Sequence, residues 1–354
     1  MVKATYADNQ LNNLVLLRAV AVLMVCFCHF VSPITDGHYF TEAFKVIYIY
    51  GQYGVHVFFV ISGFIIPLSL YKGKYDISNY LRFLFKRVLR LHPPYLAALA
   101  LTLFIMFISY KQRNIVFPEN CISIIKSLFY FHTPADNPVF WTLAVEAQYY
   151  IFIGIFYSLF IRNTSSLIIL VVGLLLVSQT ALGSYISLVY HMPFFLVGNI
   201  CALLYIHGAE KRVNIVILVG ILLFILTCYN VPAFIFSAIT ALLILKWRSP
   251  VPSLFLFLGK ISYSIYLIHY PIGTKFINFI KPRVPAAHSW LLAIVTMLLV
   301  IVASWVFYKF FEEYAEYASK KIKYLIKNSS YQPGNQINDK PATITIPASA
   351  EGKL

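Results

Sequence analysis

Apolar residues follow one another along this chain in long runs that are separated by short polar segments. About 20 consecutive apolar residues cross a bilayer as a helix, and the pattern predicts an all-α, polytopic membrane helix bundle of about ten transmembrane helices. The seventh and eighth runs are separated by little more than Asn230 and Pro232, which fits either a tight helical hairpin or one kinked unit. The predicted spans are Leu14–Ile34, Phe44–Tyr71, Pro94–Tyr110, Trp141–Ile161, Ser166–Leu182, Val189–His207, Val213–Tyr229, Val231–Lys246, Phe257–Lys275 and Ser289–Phe310.

Two segments have a different pattern. In Tyr80–Leu91, leucine and phenylalanine form one helical face and basic residues at three- and four-residue spacing form another. This predicts an interfacial amphipathic helix over about residues 77–92 on the cytoplasmic side. Asn328–Leu354 is rich in Pro, Ser, Asn and Gly and is predicted to be disordered. The domain organisation expected is therefore one transmembrane domain, residues 1–327, followed by a disordered C-terminal tail, residues 328–354.

Composition supports the membrane class. Of 354 residues, 60% are hydrophobic and 12% are charged, whereas soluble domains are about 25% charged. The net charge of +15 is explained by basic loops that contact anionic lipid, so membrane lipid and not nucleic acid is the expected partner. The polar N-terminus followed by a full-length span is not typical of a cleavable signal peptide. The five cysteines lack metal-ligand spacing, so no metal is expected.

Basic residues in the loops predict the orientation of the chain. The segment after the second span carries six of them, and the turns after the fourth, sixth and eighth spans and the C-terminal end are also basic. The first loop instead carries Asp36 and Glu42, although the third and ninth loops contain some lysine and arginine. The positive-inside rule then places both termini in the cytoplasm.

Ionisable residues inside spans are costly and usually face the bundle interior. Arg18 also fits a cation that extends toward the lipid surface, and a histidine in a span is often a packing residue. Span depth places His29, Glu146 and His269 in the outer half, where they could meet. Arg18 lies roughly 16 Å deeper, at 1.5 Å per residue, near the predicted depth of Arg87 and Arg90.

The two groups of residues differ in their chemistry. Arginines bind phosphates, and a histidine that is oriented by a carboxylate can take a proton from a hydroxyl. A phosphorylated cytoplasmic donor with a long arm could therefore deliver a group through the bundle to an acceptor outside.

Five motifs, in order, resemble those of the membrane acyltransferase 3 family, whose members transfer acyl groups, commonly acetyl from acetyl-CoA, to sugars and other acceptors. Ten residues separate Arg18 from His29, as in the family's first-helix signature. The other four are GVHVFFVISGFI (Gly54–Ile65), KRVLRLHPPY (Lys86–Tyr95), WTLAVEAQYY (Trp141–Tyr150) and ISYSIYLIHYP (Ile261–Pro271). Thr142 replaces the usual serine, and Ala147 replaces a common second acid. From the sequence, an added extracytoplasmic esterase-like domain of the kind that some relatives carry is not expected.

The resemblance implies an O-acyltransferase of a bacterial cytoplasmic (inner) membrane, with acetyl-CoA as the donor and a cell-surface or lipid-linked glycan as the acceptor. It implies His29 as general base, with Glu146 as its orienter or as the holder of an acceptor hydroxyl. Donor-phosphate contacts are expected from Arg18, Lys86, Arg87 and Arg90, and substrate contacts from Ser62, Trp141, Tyr266 and His269. Structural or loop roles are expected for His56, His132, His191 and His288.

Two other functions fit some of the same residues. Intramembrane charge is compatible with a transporter or flippase of a lipid-linked saccharide or other solute, although the repeated broken helices that transporters often have are not evident. A membrane receptor or assembly scaffold would require a tail-bound partner and a dispensable His29. The acceptor, the acyl length and the oligomeric state are left open by the sequence.

Overall fold

The computed structural model describes residues 2–207, 212–247 and 249–323, with side chains from residue 12 onward. The predicted tail, residues 328–354, lies outside the described residues. Within the described ranges the chain forms helices and no strand. The helices are α1 (Val2–Val31), α2 (Thr41–Gly51), α3 (Gly54–Lys72), α4 (Tyr80–Gln112), α5 (Cys121–Leu128), α6 (Trp141–Arg162), α7 (Thr164–Ser178), α8 (Leu182–Tyr185), α9 (Ser187–His207), α10 (Arg212–Cys228), α11 (Val231–Lys246), α12 (Ser253–Lys260), α13 (Ser262–His269), α14 (Lys275–Ile280), α15 (Trp290–Phe307) and α16 (Glu313–Lys320).

Several of these helical segments are long and apolar enough to cross a bilayer, so the chain is a multi-pass membrane protein. In the described part of the chain, six segments meet that criterion and three further apolar helices, α7, α10 and α11, are shorter. The six are Asn12–Ile34, Thr41–Lys72, Ile77–Gln112, Pro138–Arg162, Ser187–His207 and Trp290–Lys320. The predicted total of about ten spans and the cytoplasmic position of both termini remain predictions.

The seventh and eighth predicted spans are two separate helices. Asn230 adopts an extended conformation between α10 and α11, and its side chain accepts a hydrogen bond from the Ala233 N–H at 2.8 Å. An asparagine at this position satisfies one of the unpaired donors at a helix start, and Pro232 suits the first turn because it has no N–H to lose. The chain therefore makes a tight hairpin here.

Helix α4 differs from the prediction. Its 33 residues run without interruption through Pro93 and Pro94, so the predicted amphipathic helix and the third span form one helix. The hydroxyl of Tyr263 donates to the carbonyl oxygen of Leu91 at 2.8 Å, two residues before the first proline. The apolar residues Leu81, Phe85 and Val88 face outward, whereas Arg87 is only 6% exposed. Part of the basic face thus points into the bundle; the position of this end at the membrane surface remains a prediction.

Helices α3 and α9 approach each other closely through two glycines. A Cβ atom on Gly63 would lie 2.2 Å from the carbonyl oxygen of Phe195, and one on Gly198 would lie 2.1 Å from that of Val60. Small residues at such crossings allow the backbones of membrane helices to come together. This pair lies in a hydrophobic cluster with α6, α7, α10 and α11, while parts of α1, α4, α13 and α15 form a second cluster.

Two π-helical turns interrupt the C-terminal helices. Tyr270–Thr274 joins α13 to α14, and Tyr308–Glu312 joins α15 to α16. A π turn holds one residue more than an α turn and often occurs at functional sites. The first turn follows His269 directly, and the second ends at Glu312, which is 6% exposed.

Long-range hydrogen bonds identify the two ends of the bundle. At one end, Asn13 bonds to the carbonyl oxygen of Trp247, and the amine of Lys86 donates to the carbonyl oxygen of Ile322 at 3.0 Å. We call this end the basic end. At the opposite end, the amine of Lys281 bonds to the carbonyl oxygen of Pro33. Because α1 is one continuous helix, Arg18 lies toward the basic end and His29 toward the opposite end.

Candidate active site

A cavity inside the bundle contains most of the predicted polar residues. It measures about 1080 Å³ including its open mouth, and its walls come from α1, α3, α4, α6, α13 and the second π turn. Its polar and charged lining residues are Arg18, Ser62, Arg87, Arg90, Thr142, Glu146, Tyr150, Ser262, Tyr263, Tyr266 and Glu312. Three guanidinium groups and two carboxylates thus line one space in the bundle interior, which we call the central cavity.

Two of the arginines are held by serines on neighbouring helices. The Nε of Arg18 donates to the hydroxyl of Ser262 at 3.0 Å, and a terminal nitrogen of Arg87 donates to the hydroxyl of Ser69 at 3.0 Å. Arg87 also lies 5.5 Å from the ring centre of Phe83 and 5.9 Å from that of Tyr150, positions that allow cation–π attraction. These contacts hold both guanidinium groups at the cavity wall; their contact with a donor phosphate stays a prediction.

Glu146 lies in the central cavity but does not reach His29. Its carboxylate accepts a hydrogen bond from Ser62 at 3.0 Å and another from Tyr150. In the described structure no hydrogen bond joins Glu146 to His29, so Glu146 does not orient His29 in this arrangement. Glu146 instead shares the central cavity with Arg18, Arg87 and Arg90, which were predicted to lie at a different depth. Its other expected role, holding an acceptor hydroxyl, stays a prediction.

Glu312 was not among the predicted site residues. It accepts hydrogen bonds from the backbone N–H of Ser264 at 3.0 Å and from its hydroxyl at 2.5 Å. Its charge acts on the guanidiniums of Arg18 and Arg90. The predicted final span ended at Phe310, which left Glu312 outside the membrane. An acidic pair directly after a long apolar run was the signal that could have identified it.

A second cavity at the basic end adjoins the first. It measures about 1170 Å³, again including open space, and shares Arg18, Arg90 and Glu312 with the central cavity. Lys260 and Lys320 also line it. The shared residues therefore stand where the basic end opens into the interior of the bundle.

His29 and His269 lie side by side, as their predicted depths suggested, but outside the lining of the central cavity. Their ring centres are 5.4 Å apart with a 36° tilt, and the ring of Tyr270 lies 5.1 Å from that of His29. His269 is fully buried, whereas His29 is partly exposed.

Tyr266 stands between the central cavity and these histidines. It lines the cavity, and its ring centre is 5.7 Å from that of His269. Its hydroxyl lies 2.6 Å from the hydroxyl of Thr142 and donates to the carbonyl oxygen of Val139 at 3.0 Å. The central cavity and the histidine pair are thus neighbours, and the hydrogen-bonded ring of Tyr266 lies between them.

Two predicted site residues lie elsewhere. Lys86 points to the C-terminal segment through its bond to Ile322, and it does not line either cavity. Trp141 is 37% exposed at the start of α6, with its ring centre 5.0 Å from that of His191. The prediction of Lys86 as a donor contact is therefore not supported by its position, because its neighbour Arg87 occupies the inward face of α4.

Comparison with known proteins decides the family. Residues 11–309 match the acyltransferase 3 family, which is described as an acyltransferase domain. The chain belongs to the acyltransferase 3 family. Its matches include the O-acetyltransferase OatA of Staphylococcus aureus strains NCTC 8325 / PS 47, COL and MRSA252, each 27% identical over 87% of this chain. The chain spans 57% of the length of those relatives. No solved structure matches it.

Proposed function

We propose that this acyltransferase 3 protein is a membrane O-acetyltransferase. It transfers acetyl from acetyl-CoA, bound from the cytoplasm, to a hydroxyl of a cell-surface or lipid-linked glycan in a bacterial inner membrane. The observation that carries the proposal is the central cavity, in which Arg18, Arg87 and Arg90 face one space that adjoins a cavity at the basic end. The relatives named as O-acetyltransferases support the reaction type.

Charge in the central cavity favours an anionic donor. Three guanidiniums are opposed by the carboxylates of Glu146 and Glu312, which leaves one net positive charge in an interior where charges interact more strongly than in water. Guanidinium groups bind phosphate oxygens in a two-pronged geometry. In the proposal the phosphates of CoA lie near Arg18 and Arg90 at the basic end, and the thioester arm extends through the central cavity.

The reaction needs one proton transfer. His29 takes the proton of the acceptor hydroxyl, whose oxygen attacks the thioester carbonyl carbon; the carbon–sulfur bond then breaks, and the CoA thiolate takes the proton from His29. No acyl-enzyme is needed. For the acetyl group to reach His29, the ring of Tyr266 has to turn aside, because it separates the central cavity from the histidine pair.

A pair of variants tests the proposal. His29→Ala should abolish acetyl transfer in cells and leave CoA binding by the purified protein intact. Arg90→Ala should weaken CoA binding by about tenfold or more, the order of one lost charge-assisted hydrogen bond. Acetyl esters on surface glycans are measured by mass spectrometry before and after mild base, and CoA binding is measured with radiolabelled acetyl-CoA.

Exposed residues of the same type provide controls. His288 and Arg162 are both exposed, and His288→Ala and Arg162→Ala should change neither readout. Undiminished acetylation in the His29→Ala variant would rule out His29 as the base. Wild-type protein that binds no acetyl-CoA would instead refute the donor and return the transporter interpretation to consideration.

A further inference from the structure

The proposed base has no carboxylate partner in the described structure. In hydrogen-bonded acid–base sites, a second group usually fixes which ring nitrogen of histidine carries the proton and how the ring is oriented. Glu146 does not serve His29, since it bonds to Ser62 and Tyr150. One ring beside His29, that of His269, has a buried nitrogen without a hydrogen-bond partner.

The tautomer of His269 follows from its backbone contacts. Its Nδ1 lies 2.8 Å from the carbonyl oxygen of Tyr266 and 3.2 Å from that of Ile265. Carbonyl oxygens only accept hydrogen bonds, so Nδ1 carries the hydrogen and Nε2 of the neutral ring presents a lone pair. That Nε2 is buried and has no hydrogen-bond partner. A buried acceptor without a donor is unfavourable and therefore points to a missing partner.

His29 is placed to supply that partner. The two ring centres are 5.4 Å apart, a separation at which facing ring nitrogens come within about 3 Å, the length of a hydrogen bond. His29 is partly exposed, so its ring has room to turn, whereas the His269 ring is fixed by its two carbonyl contacts. Phe30, whose ring centre is 6.2 Å from that of His269, adds an apolar wall.

We propose that His269 is the positioning residue of the reaction: its Nε2 accepts a hydrogen bond from the N–H of His29. This inference rests on the proposed function. The bond leaves the other nitrogen of His29 with its lone pair toward the acceptor hydroxyl. When His29 takes the hydroxyl proton, the resulting imidazolium donates a stronger bond to Nε2, and His269 stays neutral throughout. A neutral acceptor suits this depth, because an ionised carboxylate in an apolar interior is costly.

Replacing His269 by glutamine or by asparagine, two amides of different length, distinguishes the positioning role from a role in packing alone. In His269→Gln the amide reaches the position of Nε2 and preserves an acceptor there; in His269→Asn it reaches only the position of Nδ1. The Asn variant should lose between about 100- and 1000-fold in kcat, within the range that general base catalysis supplies, with the KM for acetyl-CoA unchanged. The Gln variant should retain most of the rate. His269→Phe preserves the ring volume without an acceptor and should behave like Asn.

The same kinetic measurements on the His29→Ala variant distinguish the positioning role of His269 from the proposed role of His29 as the base. Adding His269→Asn to His29→Ala should reduce the rate no further, because residues that act as a unit are not additive. Equal rates for the Gln, Asn and Phe variants, or losses confined to KM, would overturn the positioning role and leave the proposed function standing. An active His29→Ala variant would overturn both. Protein that elutes as one symmetric peak in detergent shows that each variant is folded.

Discussion

Replacing Gly198 by alanine tests how tightly α3 and α9 are packed. The new Cβ atom would lie 2.1 Å from the carbonyl oxygen of Val60 and 2.6 Å from the backbone nitrogen of Phe64, whereas ordinary contact begins at 3.4 Å. Both obstacles are helix backbone, so rotation of a side chain cannot relieve the overlap. The two helices must separate by about 1 Å, and forcing extra volume into a packed interior costs about 1–3 kcal/mol.

Gly220→Ala is the matched control, because a Cβ atom there meets nothing within 4 Å. Alanine should stabilise that exposed helix position by about 0.5–1 kcal/mol relative to glycine. The two variants should therefore differ by about 1.5–4 kcal/mol in unfolding free energy. The assay is loss of the monodisperse peak after heating detergent-solubilised protein, compared at matched concentrations. Indistinguishable midpoints for Gly198→Ala and Gly220→Ala would refute the close approach of α3 and α9.

Two further predictions concern acidic residues. Burial alone would raise the pKa of Glu119. Hydrogen bonds from Ser123 and Ala135 and the contact with His132 at 2.9 Å outweigh this effect, so the net pKa lies below its ordinary value of 4.5. The loop between α4 and α5 that contains Glu119 should therefore become more protease-sensitive as the pH falls below about 4.5. The Glu119→Gln variant should lose this pH dependence. Parallel plots of cleavage rate against pH for the variant and the wild type would contradict the prediction. The Glu312→Gln variant should have a KM for acetyl-CoA that is lower on the order of fivefold, because about 1 kcal/mol of repulsion between the carboxylate and the donor phosphates disappears. A raised KM would show instead that the Glu312 carboxylate holds the arginines in place.

The positions of the helical segments along the chain were largely predictable from the sequence. Run length located helical segments at every predicted span, and depth alone brought His29 beside His269. The rotation of each helix about its axis was harder to predict, because a nearly uniform apolar run does not indicate which face of the helix contacts which neighbouring helix. Glu146 therefore lies with the arginines and bonds to Ser62 and Tyr150, not to His29.

Two local features also escaped prediction for identifiable reasons. Consecutive prolines normally end a helix, yet α4 continues through them with the Tyr263 hydroxyl bonded to the carbonyl oxygen of Leu91. Glu312 was missed because the predicted final span ended at Phe310, whereas the helix continues through a π turn to Lys320.

The extra residue in the π turn Tyr308–Glu312 has a consequence for comparing sequences within the family. Removing one residue would return the following helix to α geometry and rotate everything after it by about 100°. Glu312, now turned inward, would move toward the face where Phe310 and Phe311 are 68% and 45% exposed. A one-residue gap at this point of an alignment is therefore not neutral: it marks relatives in which a different side chain occupies the entrance between the two cavities.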